Sequence, residues 1–451
     1  MTDGPIFLEP REPVGTPRAA QPDKPVEPGE PVEPRTAAEP AEPAEPLREP
    51  EPHAALHVID TRAEYEFAVG RLAAGEGPFA VDAERASGFR YSQRAYLIQI
   101  FRRGSGVFLF DPPAIGEMSA LADVMAGQEW ILHAASQDLA CLREVGLDPS
   151  RIFDTELGAR LAGLPRVGLG PVVEQLLGIH LAKEHSAADW STRPLPQSWL
   201  VYAALDVELL PELREKIGDI LDAAGKTAIA EAEFEATLQR EAPVREEPWR
   251  RLSGIHSLRQ ARNLAVARAL WTARDDYARE IDTAPGRLIP DGSLVAAARA
   301  LPNTKRDLAA MKDFTGRASR SQIDRWVAAI QEGMATTDLP QVRPPSDALP
   351  PPRVWVDKNP EADGRLKRAR AAVTEISTEL DIPMENLLTP EFLRRVAWTP
   401  PVPPTAEAIA DALAALGARR WQLDATAQAI ADAFVEPIQT PETAPESDSS
   451  E

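Results

Sequence analysis

Asp82 and Glu84 stand two residues apart in the run Phe79-Ala-Val-Asp-Ala-Glu84. Side chains at i and i+2 of a strand share a face, so a strand here aims two carboxylates at one place. Burying neighbouring negative charges is costly without compensation, and a divalent cation held by oxygen ligands is a natural neutraliser. Strand ends also carry acids that do no chemistry, so the pair alone does not choose. A third acid, Asp138, lies in Ile131-Leu-His-Ala-Ala-Ser-Gln-Asp138-Leu139, where an apolar strand runs into a helix that Ser136 is placed to cap. In that helix's first turn the dipole favours a carboxylate in any case. His133 in the same run is either a ligand contact or a satisfied core histidine. Tyr202 and Asp206 are four apart on a helical pattern and face one way, as an ordinary phenol–carboxylate hydrogen bond or as part of a site.

The elements that must position these groups are short β-rich runs and helical patterns in alternation. Phe79 to Glu84, Tyr96 to Phe101, Val107 to Phe110 and Trp130 to His133 read as strands. Gln137 to Val145, Pro171 to Leu177 and one long segment from Trp199 to about Leu221 carry apolar residues at helical spacing, which gives an α/β domain around a mixed sheet. Proline-rich breaks divide the chain. Residues 1–53, with 14 prolines among the first 52, read as a disordered tail, 241–248 and 335–353 as linkers, and 437–451 as an acidic disordered tail. The folded units expected between them are 54–240, 249–334 and 354–436. The last two show helical patterning and no strand; in the second, Leu264, Ala267, Trp271, Ala278 and Ile281 form the seam of an amphipathic helix.

A net charge of -21 argues against a nucleic-acid partner until it is divided along the chain. The first 52 residues hold 12 acidic and 5 basic side chains, and residues 435–451 hold 5 acidic and none basic, so the tails carry more than half the excess. Between Trp249 and Gly333, 15 basic residues face 9 acidic ones, a local balance of +6. One cysteine, Cys141, excludes a disulfide framework or a Cys-based zinc site and reads as a small buried hydrophobe in a protein of a reducing compartment. No apolar run approaches the roughly 18 residues of a membrane helix, and the expectation is a soluble, cytoplasmic protein. No Gly-x4-Gly-Lys-Ser/Thr loop is present, so ATP is not expected as a partner.

Taken together, Asp-x-Glu on a strand, Asp at a strand-to-helix turn and Tyr-x3-Asp on a late helix resemble the three exonuclease motifs of the DEDD nuclease superfamily, in its tyrosine-containing branch. The resemblance is closest to ribonuclease D. It runs from about Val58 to Leu213 and includes Tyr96-Leu-Ile-Gln-Ile100, Asp189-Trp-Ser-Thr-Arg-Pro-Leu195 and Tyr202-Ala-Ala-Leu-Asp-Val207. The segment Arg85 to Ala95 departs from the best-known bacterial sequences of that family. His256 to Asp275 followed by Ala284 to Asp291 resembles an HRDC domain, and Ile382 to Ala397 with Leu416 to Trp421 resembles a divergent second copy.

The resemblance implies a ribonuclease-H-like exonuclease domain with two all-α HRDC-like bundles after it, removing nucleotides from RNA 3′ ends, tRNA precursors among them, as nucleoside 5′-monophosphates. Asp82, Glu84, Asp138 and Asp206 would hold two Mg²⁺ or Mn²⁺ ions, and Tyr202 would orient or deprotonate the attacking water. His133, Gln99, Arg259, Arg262, Arg317 and Arg320 are candidate nucleic-acid contacts, the arginines either as a phosphate-binding patch or as ordinary solvated helix surface. A DNA exonuclease and a non-catalytic nucleic-acid-binding protein remain as alternatives, because the acids read phosphate and not sugar.

Overall fold

The computed structural model describes residues 56–181, 187–241, 245–314, 316–344 and 347–435, so the tails expected at 1–53 and 437–451 lie outside the described residues. The first unit is built on a six-stranded mixed sheet, β1 (Val58–Ile59), β2 (Glu76–Glu84), β3 (Leu97–Arg103), β4 (Gly106–Phe110), β5 (Glu129–Leu132) and β6 (Arg151–Asp154), in the order β1-β4-β3-β2-β5-β6. β2, β3 and β4 pair antiparallel, while β1 runs parallel to β4, and β5 and β6 run parallel to β2 and to each other. β2 is the pivot. Phe79, Ala80 and Val81 are fully buried; beyond them the strand alternates, with Ala83 buried and Asp82 and Glu84 partly open on the other face.

Four strands match the sequence reading to within three residues, whereas β1 and β6 were not foreseen. The long segment from Trp199 to Leu221 is two helices, Gln197–Glu208 and Leu210–Ala223, because Pro211 cannot continue a helix but fits the first turn of a new one. The helix expected from Gln137 begins as a tight turn at Ala135–Gln137 and becomes α-helical over Leu139–Glu144. Among the described residues no helix is long and apolar enough to cross a membrane.

The second unit has its own core, where Trp326, Leu270, Leu294 and Phe314 meet around the Ala261–Glu280 helix. Gly333 allows the Ile323–Ala335 helix to lie close against it, since a Cβ there would stand 2.5 Å from the Val266 Cα. Leu264, Ala267 and Ala278 are buried as the seam requires. Ile281 is a correction: it lies just past the helix end and is exposed.

The third unit, also helical, does not stand apart from the first. Its core residues Trp355, Val373, Leu393 and Ile430 belong to one continuous apolar cluster with those of the sheet domain. Polar contacts lock the junction. Arg419 forks onto the buried Glu233 with both hydrogen bonds at 2.6 Å, Trp421 Nε1 donates to the same carboxylate at 2.8 Å, and Lys226 Nζ donates to Leu161 O and Asp381 O.

Candidate active site

β2 ends with its two acids on the face covered by the Gln197–Glu208 helix. That helix carries Tyr202 and Asp206 one turn apart, as its 3.6-residue period requires. One carboxylate oxygen from each of Asp82, Glu84 and Asp206 lies within 4.8 Å of the others. The Tyr202 hydroxyl hydrogen-bonds the Asp206 carboxylate. Asp138 stands outside that close grouping, across a cleft of about 510 Å³ lined also by Tyr202, His133 and Arg85, and its Oδ1 is 3.9 Å from Arg85 Nη2.

Asp138 is delivered by a bent turn. Ala134 takes the left-handed conformation, φ 61°, rare for a residue with a Cβ. Asp154, buried at the end of β6, accepts the amide hydrogens of Ala134 and Ala135 and, on the other side, those of Glu156 and Leu157. Ser136 does not cap the following helix, a correction to the sequence reading. It sits inside the tight turn, and the helix has no side-chain cap. Asp154 was missed because an Asp beside an apolar pair carries no motif.

The electrostatics are those of like charges crowded out of water. Burial, then the charges of Asp82, Asp206 and Asp138, pushes Glu84 up to about 10 in the ion-free protein. Burial raises Asp82, and burial with the Asp82 charge holds Asp138 and Asp206 well above the carboxylate range. Burial and the neighbouring acids raise the Tyr202 phenol. An all-oxygen cluster this short of positive charge fits a hard divalent cation.

The remaining predicted contacts divide. His133 lines the cleft, and its Nδ1 is 2.9 Å from Thr155 Oγ1. Thr155 Oγ1 donates its hydrogen bond to Leu132 O, so Nδ1 must be the donor and Nε2 the acceptor. Burial lowers this imidazole to about 4, which keeps it neutral. Gln99 is a correction. It pairs with Asp82 in the ladder and shares its face, but it is 0 % exposed beneath the covering helix and so does not reach a nucleic acid. Arg262 is half-buried and donates to Gly333 O and Thr336 O, closing the end of a neighbouring helix, and Arg320 donates to Phe314 O. Arg259, Arg317 and Arg320 are exposed. Asp189-to-Leu195 is scaffolding: Trp190 is fully buried, and Arg193 ties Asp111, Trp190 O and Tyr96 O together.

Family models match along the chain as a 3′-5′ exonuclease over residues 56–222, an HRDC domain over 263–330 and a 3′ to 5′ exonuclease C-terminal domain over 348–434. Ribonuclease D of Pseudomonas paraeruginosa is 31% identical over 320 residues, which cover 70% of this chain and 82% of that protein. The chain belongs to the ribonuclease D family. Escherichia coli ribonuclease D is 28% identical over 68% of this chain and 81% of its own. In three dimensions the chain is similar to a protein from Bifidobacterium adolescentis (TM-score 0.78, 38% identity, covering 84% of this chain and 97% of that one). It is also similar to E. coli RNase D, an exoribonuclease involved in structured RNA processing (TM-score 0.60, 25% identity, covering 76% and 90%). The chain is therefore a 3′-5′ exoribonuclease with an HRDC domain, and its acidic cluster is of the kind that holds divalent metal. The family model over the third unit is the exonuclease's own C-terminal domain, in keeping with the core the two share.

Proposed function

We propose that this enzyme shortens structured RNAs, tRNA precursors among them, one nucleotide at a time from the 3′ end and releases nucleoside 5′-monophosphates. The observation that carries the reading is the triangle of Asp82, Glu84 and Asp206 oxygens with Tyr202 hydrogen-bonded to it in one cleft. Asp82, Glu84 and Asp206, with Asp138 facing them, are the residues that would hold two Mg²⁺ or Mn²⁺ ions. Bound there, such ions supply Lewis-acid polarisation and charge compensation for phosphodiester hydrolysis.

The chain's own groups do the positioning. The Tyr202 hydroxyl donates a hydrogen bond to Asp206, and its oxygen can accept one from a water. It would orient the attacking water or take its proton. His133 offers an acceptor nitrogen in the cleft, suited to a sugar hydroxyl or a base amine. Arg259, Arg317 and Arg320 are exposed cations through which the HRDC domain would meet backbone phosphate.

The test is cleavage of matched RNA and DNA strands, labelled at the 3′ end, in Mg²⁺, Mn²⁺ and chelator. Nucleoside 5′-monophosphate released from RNA faster than from DNA, and none in chelator, is the expected result. Internal cuts, or DNA degraded faster, would overturn the reading.

A further inference from the structure

Arg85 follows Glu84 directly and is the one lysine or arginine among the described residues lining the catalytic cleft. Its side chain is 29% exposed, and Nη2 stands 3.9 Å from Asp138 Oδ1, too far for a hydrogen bond. A guanidinium has five N–H donors in a fixed fork, which matches phosphate oxygens. Here the fork stands at the edge of the acids with those donors uncommitted among the described residues. The position is also where the sequence begins to depart from the family pattern.

The chain after Arg85 is gripped by the HRDC domain. Phe89 and Arg90 N–H both donate to Ala86 O, closing a turn. The outside of that turn is held from the second unit: Arg287 Nε donates to Gly88 O at 2.7 Å, its guanidinium lies 4.0 Å over the Phe89 ring, and Ala284 N–H donates to Phe89 O at 2.9 Å. A few residues on, Asp282 accepts from Ser92 N–H, Arg94 and the Tyr96 hydroxyl. Gly88 itself lines the cleft. The HRDC domain thus backs one wall of the active site.

We propose that Arg85 binds a phosphate of the RNA strand beside the scissile linkage, and that the HRDC domain's hold on residues 88–96 keeps Arg85 at that post. The domain then acts on catalysis through the cleft wall, in addition to any RNA surface of its own. The proposal rests on the cleft being the catalytic site.

The experiment measures binding of a short oligoribonucleotide across a salt series, in an Asp82→Asn background that does not turn over. Adding Arg85→Ala should weaken binding about tenfold to a hundredfold, as for a lost hydrogen bond between charged groups. It should also flatten the slope of log affinity against log salt by about 0.7, one phosphate contact on a single strand. Arg85→Lys should restore the slope and only part of the affinity. Asp282→Asn removes a negative charge, which by itself would tighten RNA binding. It should instead weaken binding several-fold, and it should have no further effect once Arg85 is alanine.

Unchanged affinity and slope in Arg85→Ala would make Arg85 only a counter-ion to Asp138 and overturn the proposal. Additive effects of the two changes, or tighter binding by Asp282→Asn, would overturn the positioning by the HRDC domain. Failure of the wild-type chain to shorten RNA, or turnover by Asp82→Asn, would strike the site assignment and not Arg85.

Discussion

The Asp154 carboxylate reaches from the end of β6 to the amide of Ala134, 3.0 Å away, and fixes that residue in a left-handed turn. Such a conformation costs a non-glycine residue roughly 1–2 kcal/mol, so the turn that delivers Asp138 depends on a partner outside itself. Asp154→Asn offers one acceptor oxygen in place of two and leaves at least one buried N–H unmatched. The expected cost is about 1–3 kcal/mol in urea unfolding. Turnover should fall more than substrate affinity, because it is the placement of Asp138 that suffers. Wild-type kinetics in a folded Asp154→Asn protein would show that the turn holds without it.

Asp82→Asn and Asp138→Asn should lower turnover by several orders of magnitude while leaving the fold intact. In chelator both variants should melt at or above the wild-type temperature, since each removes a carboxylate whose charged form burial already disfavours, for Asp138 with the Asp82 charge added. Calorimetry with and without Mg²⁺ checks this, and a clear drop in melting temperature in chelator would contradict it.

Tyr202→Phe removes only the hydroxyl that meets Asp206 and should slow single-turnover cleavage by about 10² to 10⁴. Asp206→Asn should lose metal affinity as well, and part of its loss should return at high Mn²⁺. Rescue of Tyr202→Phe by Mn²⁺, or a full rate in that variant, would reduce the pair to a structural hydrogen bond.

Metal binding should strengthen with pH. Glu84 rises from 4.5 to about 10 in the ion-free fold, so the native state holds its proton more tightly than the unfolded chain does. The stability this group lends the ion-free protein is full below pH 4.5 and is lost as pH rises toward about 10. An ion must displace that proton. The gap between melting temperatures in Mg²⁺ and in chelator should therefore widen from about pH 6 to about pH 9, and a constant gap would mean that Glu84 carries no proton when the ion arrives.

Arg419→Ala would strand the Glu233 carboxylate, 6% exposed, with Trp421 as its remaining side-chain donor. Removing one member of a buried pair costs about 3–5 kcal/mol, and the loss should appear as earlier exposure of the third unit to protease. An unchanged proteolysis rate would place the strength of the junction in its apolar contacts alone.

Strands β2 to β5, the α/β class and the candidate catalytic acids were legible because alternation and helical spacing are local. Three features were not. β6 offers only the apolar pair Ile152-Phe153 between Arg151 and Asp154 and is recognisable only from its pairing with β5. Gln99 has the right face by register, but register does not say that a helix lies over it. The left-handed Ala134 violates local preference and is held by a residue 20 positions away. The departure at Arg85 to Ala95 was visible as a break in pattern; its meaning, a docking surface for the HRDC domain, lies in contacts spanning more than 180 residues.

The core shared by the first and third units has a consequence for synthesis. Glu233 and Arg419 are 186 residues apart, so the ribosome must make the whole HRDC domain and most of the third unit between the two halves of that contact. At about 5–20 residues per second this interval lasts roughly 10 to 40 seconds, during which the nascent nuclease carries an uncovered apolar face and an unanswered acid. The first unit's apolar face can be covered only once the Arg420–Val435 helix has left the exit tunnel, and until then the half-made chain is exposed to aggregation.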